Sequence, residues 1–322
     1  MDRIDSATIK RLSREVGFDI CGIVAPQLLP DDGERLRLWL EKGYHGEMEY
    51  LGRDLERRSD PKLLMPEVRS IIVLGLNYFQ ENTEDPPPEG HGRVSRYARG
   101  RDYHKIIEKL SKQLIGRIAE VGQQNEESFR WFVDYGPILE RAYAERAGLG
   151  FIGKNSMLIN RKYGSWLFLA EILTSLELEP DDPDSIDHGS CAECSLCIDS
   201  CPTGAIVAEK TIDSSKCLSY LTIERPGEIK DESARQMGRN VFGCDICQEV
   251  CPLNRQAIVT GHKDLLPESG VGEFVNARAI VEMRTREQFL ELTAGTPLTR
   301  PKLEGLRRNA EIALENEQRE ER

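Results

Sequence analysis

No apolar stretch in this sequence approaches the length needed to cross a bilayer, which excludes a membrane-spanning helix. Its first residues, Met-Asp-Arg-Ile-Asp-Ser, carry acids and no apolar core, so they do not read as a secretory signal. The pairs Arg57-Arg58 and Arg307-Arg308 lie far from the start and are not export signals. No G-x-G-x-x-G opens a helix after a strand and no P-loop occurs, so neither a dinucleotide fold nor a phosphate-cradling loop is indicated. No internal repeat is found. Positive charge is short too: the net charge of −12 argues against nucleic-acid binding by the protein as a whole. A local basic face stays open, because only charges within a Debye length of a phosphate count for much.

Cysteine, by contrast, is present in a pattern. Of nine cysteines, eight lie between Cys191 and Cys251. Cys191, Cys194, Cys197 and Cys201, followed by Pro202, form C-x2-C-x2-C-x3-C-P. This is the bacterial [4Fe-4S] spacing, in which the fourth Cys ligates the other cluster. Cys244, Cys247 and Cys251, followed by Pro252, form a run one ligand short, and Cys217 is the only nearby thiol to complete it. The expected division is Cys191, Cys194, Cys197 and Cys251 on one cluster, with Cys201, Cys217, Cys244 and Cys247 on the second. Each Cys-Pro step fixes φ and removes a donor, turning the chain toward the other cluster. Structural zinc also uses C-x2-C, but it does not account for the longer run or the second Cys-Pro. A disulfide framework needs an oxidising compartment that nothing else suggests. Thiolate-held clusters without an export signal imply a reducing cytoplasm. Cys21, inside the apolar run Phe18 to Ala25, reads as a buried structural thiol.

At 322 residues, with 39% hydrophobic and 30% charged content, the chain is long enough for two or three domains. Predicted helices over 5–17, 33–43, 103–122 and 138–147 alternate with predicted strands over 18–25, 70–78, 128–133 and 166–174. That alternation places an α/β-type or α+β domain over 1–180. Residues 70–78 form a continuous apolar run, expected as a buried central strand. Residues 82–92, with three successive prolines, read as an exposed loop, and 149–160 is glycine-rich. The acidic, proline-bearing stretch 179–187 leads into a ferredoxin-like two-cluster domain over 181–258. Residues 259–322 read as a helical segment, with helices over 285–292 and 301–318. It carries the basic group Arg300, Lys302, Arg307 and Arg308, and a charged end. The overall expectation is α+β.

Two clusters feed electrons onward, and composition alone names no acceptor. The D-x-H-x-x-G motif of protein-bound cobalamin fails, since Asp102-Tyr-His104 continues Lys-Ile-Ile. Longer segments say more. Val133 to Arg141, Ala147 to Ser156, Cys217 to Glu224 and Phe242 to Pro252 closely resemble the epoxyqueuosine reductase family. These are cobalamin-dependent iron–sulfur enzymes of tRNA modification, related to reductive dehalogenases. The resemblance covers roughly residues 1–260. Leu306 to Asn316 resembles the beginning of the family's C-terminal HEAT-like domain, whose remainder is not in this sequence.

The resemblance implies an oxidoreductase that reduces epoxyqueuosine at the tRNA wobble position to queuosine, with loss of water. It implies two [4Fe-4S] clusters and a base-off cobalamin; the failed D-x-H-x-x-G motif and the lack of His from Gly148 to Ser156 predict no protein histidine on cobalt. The implied partners are tRNA and a low-potential electron donor, for a cytoplasmic monomer with no membrane contact. It suggests Arg57, Tyr97, Asp134, Lys154, Asn155, Ser156 and Leu158 as cobalamin contacts. Asp134 matches the family's proton-donating aspartate. Desolvation under a corrin ring would favour its neutral acid, the form that protonates an epoxide oxygen. The competing reading of Asp134 is an Asx turn before Gly136-Pro137. Tyr220 and Thr222 face either substrate or the core of their small domain. Two other functions compete: cobalamin-dependent reduction of a small molecule, and plain electron carriage, against which the large first domain argues.

Overall fold

The computed structural model describes residues 4–83 and 85–320; Glu321 and Arg322 of the charged end lie outside the described residues. The first part begins with α1 (Ser6–Val16), β1 (Ile20–Val24), α2 (Pro30–Glu41), α3 (Leu55–Ser59), β2 (Ser70–Asn77) and β3 (His91–Val94). It continues through α4 (Tyr103–Gly122), β4 (Phe129–Phe132), α5 (Glu140–Arg146), the hairpin β5 (Phe151–Ile152) and β6 (Leu158–Ile159), and β7 (Leu167–Thr174). Four strands form one sheet in the order β1-β2-β7-β4, and every pairing is antiparallel.

Strand β2 is buried at every position because both of its faces are covered. Ile72, Leu74 and Leu76 join a core with Ile9 and Leu12 of α1 and with Ile107 and Leu114 of α4. Ile71 and Val73 point the other way, toward Tyr143 and Ala144 of α5. Helix α1 starts where the Asp5 side chain accepts from Thr8 N–H at 2.8 Å, and it stops at Gly17 with φ 119°. Helix α2 begins at Pro30 rather than at Gly33, since proline suits a first turn whose N–H has no helical partner. Helix α5 begins at Glu140, two residues later than expected.

The chain then runs through α6 (Leu196–Asp199), the hairpin β8 (Ile206–Ala208) and β9 (Thr211–Ile212), α7 (Leu218–Ile223), α8 (Asp231–Gln236), β10 (Asn240–Phe242) and α9 (Ile246–Glu249). It finishes with β11 (Phe274–Asn276), α10 (Ala277–Glu282), α11 (Arg286–Thr293) and α12 (Lys302–Glu320). A second sheet has the order β10-β3-β11, with β3 parallel to β10 and antiparallel to β11. It therefore takes one strand from each of three separated parts of the chain. The loop expected over 82–92 runs straight into β3. Gly92 is needed there, because a Cβ would meet Val241 Cγ2 at 2.1 Å. Helix α12 is tied down by the fully buried Asn309, whose Nδ2 donates to Thr222 O at 2.7 Å and to Val241 O at 2.9 Å. Among the described residues, no helix is long and apolar enough to cross a membrane.

Candidate functional site

Asp134 lies just past the end of β4, in the left-handed region at φ 55°, which Asp tolerates better than most residues. Its backbone N–H donates to Glu140 Oε1 at 2.5 Å. Its carboxylate Oδ2 accepts from Tyr103 O–H at 2.8 Å and meets His104 Nε2 at 3.1 Å. No Asx turn forms: the carboxylate is spent on the start of α4. There Asp102 caps the helix, accepting from His104 N–H at 3.0 Å, and the same oxygen meets His104 Nδ1 at 2.8 Å. Stacking fixes the row. Tyr103 lies flat on Phe168 of β7 at 4.2 Å and on His104 at 4.0 Å, and His104 faces the Tyr135 ring at 5.4 Å.

Within the protein itself, the groups around Asp134 act against its neutral form. Desolvation does push the Asp134 carboxyl up, but hydrogen bonds from His104 and Tyr103 outweigh it and hold the group below its ordinary pKa. These donors favour the anion of Asp134, and the sequence did not show them. Partial burial disfavours a charged His104, yet Asp102 and Asp134 push its pKa up to about 9. The imidazolium is thus the stable form at neutral pH. Burial, then the nearby Asp134 charge, raises Glu140 to about 8. Glu171, in the middle of β7, is fully buried with both carboxyl oxygens unpartnered, and burial raises it well above a normal Glu. Burial also raises Tyr97, with Asp134, Asp245 and Glu224 adding to the shift. The Arg300 guanidinium binds Glu224 at 2.9 and 3.1 Å, lies 5.8 Å over the Tyr50 ring, and lowers the Asp134 pKa further.

The residues suggested as cobalamin contacts divide. Arg57 lines a cleft of about 490 Å³ with Gly52, Asp54, Leu55, Glu56 and Leu63. Tyr97 is partly buried, its ring 6.1 Å from Tyr103 and 5.9 Å from Phe242. Lys154 pairs with Glu209 at 2.8 Å, and its N–H points at Cys191 Sγ at 3.4 Å. Asn155, 2% exposed, donates to Cys247 O at 3.2 Å and accepts from Met157 N–H at 3.2 Å. Ser156 has φ 63°, and its carbonyl accepts from Arg141. Leu158 is packed in the core with Val24 and Ile138. The Lys154, Asn155 and Leu158 side chains therefore have structural partners of their own. Tyr220 and Thr222 are core residues: Tyr220 O–H accepts from Glu47 N–H at 2.9 Å, and Thr222 Oγ1 accepts from Gly243 N–H at 2.9 Å.

The basic group near α12 is also largely spent. Arg308 donates to Leu221 O, Arg225 O and Gly227 O at 2.6 to 2.8 Å, and Arg307 lies 3.8 Å from Glu311. Sequence reasoning missed Asp102, Tyr103, His104, Glu140 and Glu171. The legible signal was a cap residue with a titratable group two positions on.

None of the nine cysteines forms a disulfide, and all are partly buried. The charged neighbours that raise each cluster thiol fall into two groups, after burial itself. Cys197 feels Cys191 and Cys251, and Cys251 feels Cys191 and Cys194. Cys217 feels Cys201, Cys244 feels Cys217 and Cys201, and Cys247 feels mainly Cys244 and Cys217. Backbone N–H groups of Lys154 and Ala205 point at Cys191 and Cys201 sulfur at 3.4 and 3.3 Å. Thiols that influence one another in two sets, with amides aimed at sulfur, are consistent with two clusters. Cys21 is held in the first core with its pKa pushed up to about 12 by burial, as a structural thiol should be.

Residues 190–254 match a family model described as a 4Fe-4S double cluster binding domain, and residues 58–135 match one described as "Epoxyqueuosine reductase QueG, DUF1730". The epoxyqueuosine reductase of Leadbetterella byssophila is 41% identical over 311 residues, covering 96% of this chain and 98% of the relative. This chain belongs to the epoxyqueuosine reductase family. The Pseudomonas aeruginosa member is 43% identical, over 96% of this chain and 84% of its own. A crystal structure of a family member with an epoxyqueuosine-modified tRNA-Tyr stem loop superposes with a TM-score of 0.85 at 29% identity, covering 96% of this chain and 80% of that one. The Bacillus subtilis member, 30% identical with the same TM-score over 96% and 81% of the two chains, is described with an aspartate catalytic loop swung out of the active site.

Proposed function

We propose that this chain reduces the epoxide of epoxyqueuosine in tRNA to the alkene of queuosine, with loss of water. The observation that carries the reading is similarity along nearly the whole chain to enzymes of that name, one of them solved with the modified stem loop. Cys191, Cys194, Cys197 and Cys251 hold one [4Fe-4S] cluster, and Cys201, Cys217, Cys244 and Cys247 hold the other. The two groups of mutually charged thiols support that division.

The family resemblance implies cobalamin as the centre that receives the electrons. Both nitrogens of His104 are engaged by carboxylates, which fits a cofactor with no histidine from this row on cobalt. Tyr97, the exposed Tyr135 ring and Arg57 are the side chains proposed to hold it. When bound, it supplies a low-potential, strongly nucleophilic metal for the epoxide carbon. The protein's share is to orient the nucleoside, exclude water and deliver protons through Asp134, whose side chain is 60% exposed.

The test is direct. Anaerobically reconstituted protein, with cobalamin and a reductant, should convert epoxyqueuosine-containing tRNA to queuosine by mass spectrometry. Intact clusters without any queuosine formed would defeat the reading. In the same preparation, the Co(II) electron paramagnetic resonance spectrum should lack axial-nitrogen splitting.

A further inference from the structure

The Asp102–His104–Asp134 row does more than hold a loop. We propose that His104, aligned by Asp102, is the proton relay that loads Asp134 for each turnover. This rests on the epoxide-reduction reading above. Converting an epoxide to an alkene and water breaks two C–O bonds, forms one C=C bond, and consumes two electrons and two protons. The electrons come from the reduced iron–sulfur clusters that the family's activity already requires. The protons need a route, because the donors around Asp134 favour its anion.

The geometry supplies one. His104 Nε2 lies 3.1 Å from Asp134 Oδ2, and its Nδ1 lies 2.8 Å from Asp102 Oδ1. The Nε2–H bond breaks, an Oδ2–H bond forms, and that bond breaks in turn as the substrate oxygen takes the proton. His104 is left neutral, still donating Nδ1–H to Asp102, and refills from solvent, to which its side chain is 28% exposed. A second passage delivers the second proton. Tyr103 O–H, 2.8 Å from the same Oδ2, fixes the carboxylate's orientation. The other groups facing the row are Tyr135 beside the imidazole, Glu140 under the Asp134 backbone, and Arg300, which acts on Asp134 through its charge. His104 is thus a positioning residue that works through Asp134.

The holoenzyme, pre-reduced and given epoxyqueuosine-containing stem loop, is followed through a single turnover across a pH series. The wild-type rate should fall as pH rises past about 9, where His104 loses its proton. In D102N the Asn still caps α4, but one carboxylate is gone, so the falling limb should move down by roughly one pH unit or more. H104A should lose on the order of 10²-fold in rate with unchanged tRNA affinity, iron and cobalamin, and added imidazole should restore part of it. An H104A enzyme at the wild-type rate, or a D102N limb that coincides with the wild-type one, overturns the relay. Wild-type holoenzyme that makes no queuosine at any pH overturns the underlying reading instead.

Discussion

Replacing Arg96 by Met should destabilise the protein by roughly 3–5 kcal/mol, the usual result of removing one partner of a buried ion pair. The Arg96 side chain is 6% exposed, 2.6 Å from Glu249 and 3.3 Å from Asp245, which is itself 8% exposed. Its Nε donates to Gln80 O at 2.7 Å, its backbone N–H donates to Asp245 at 2.8 Å, and its guanidinium lies 4.8 Å over Trp166. Asp245 precedes α9 and Glu249 is its last residue, both between Cys244 and Cys251, so this one side chain clamps the second cysteine run to the first domain. Methionine keeps the contact with Trp166 and removes only the charge and its hydrogen bonds. At about 2–4 °C per kcal/mol for chains approaching this size, the melting temperature should drop by on the order of 10 °C. Anaerobic melts read by circular dichroism and by visible cluster absorption should both shift, and together. Adding D245N should recover part of the loss, since Asn still accepts the backbone N–H of residue 96 without a stranded charge. An R96M protein that melts within the ~0.5 kcal/mol spread of ordinary surface substitutions would refute the reasoning.

In C217S, iron should fall from about eight to about four per chain, whereas C21S should keep the full complement; iron analysis of anaerobic protein separates the two. Glu171 takes up a proton on folding, because its folded pKa is raised above the unfolded value of about 4.3. Its contribution to stability therefore falls as pH climbs through that window, and E171Q should flatten the slope between urea melts at about pH 5 and about pH 8. R308A should lower the melting temperature by removing donors from three backbone carbonyls, while leaving the salt dependence of tRNA binding alone. A salt slope reduced by about one would instead make Arg308 a phosphate contact.

Elements that bury a periodic face were legible from residues alone. Strand β2 stood out because both sides of every residue are covered, and α4 because its apolar positions recur at helical spacing. Strands β3, β10 and β11 were not legible: three or four residues hold too little pattern, and their partners lie far along the chain. The cysteine pattern was local and therefore clear. Asp134 was found through family likeness, but its charge state depends on donors from α4 that only the stacking of Tyr103 on Phe168 brings near. The basic group at 300–308 looked free for the same reason, since Glu224 and the carbonyls around Arg225 are distant in sequence.

The small sheet built from β10, β3 and β11 also sets a timetable. Strand β3 leaves the ribosome well before its neighbours, the last of which follows about 180 residues later. At roughly 5–20 residues per second, its edges wait on the order of 10–40 s without partners. An unpaired edge is a template for wrong pairing, so this interval is when the nascent chain is most exposed to aggregation. The strand that ends part of the wait, Asn240–Phe242, stands immediately before Gly243 and Cys244. Pairing β10 with β3 and presenting the last cysteines are then closely linked in the life of the chain. Iron supply in the cell should accordingly govern how much folded protein accumulates, as well as how much of it is active.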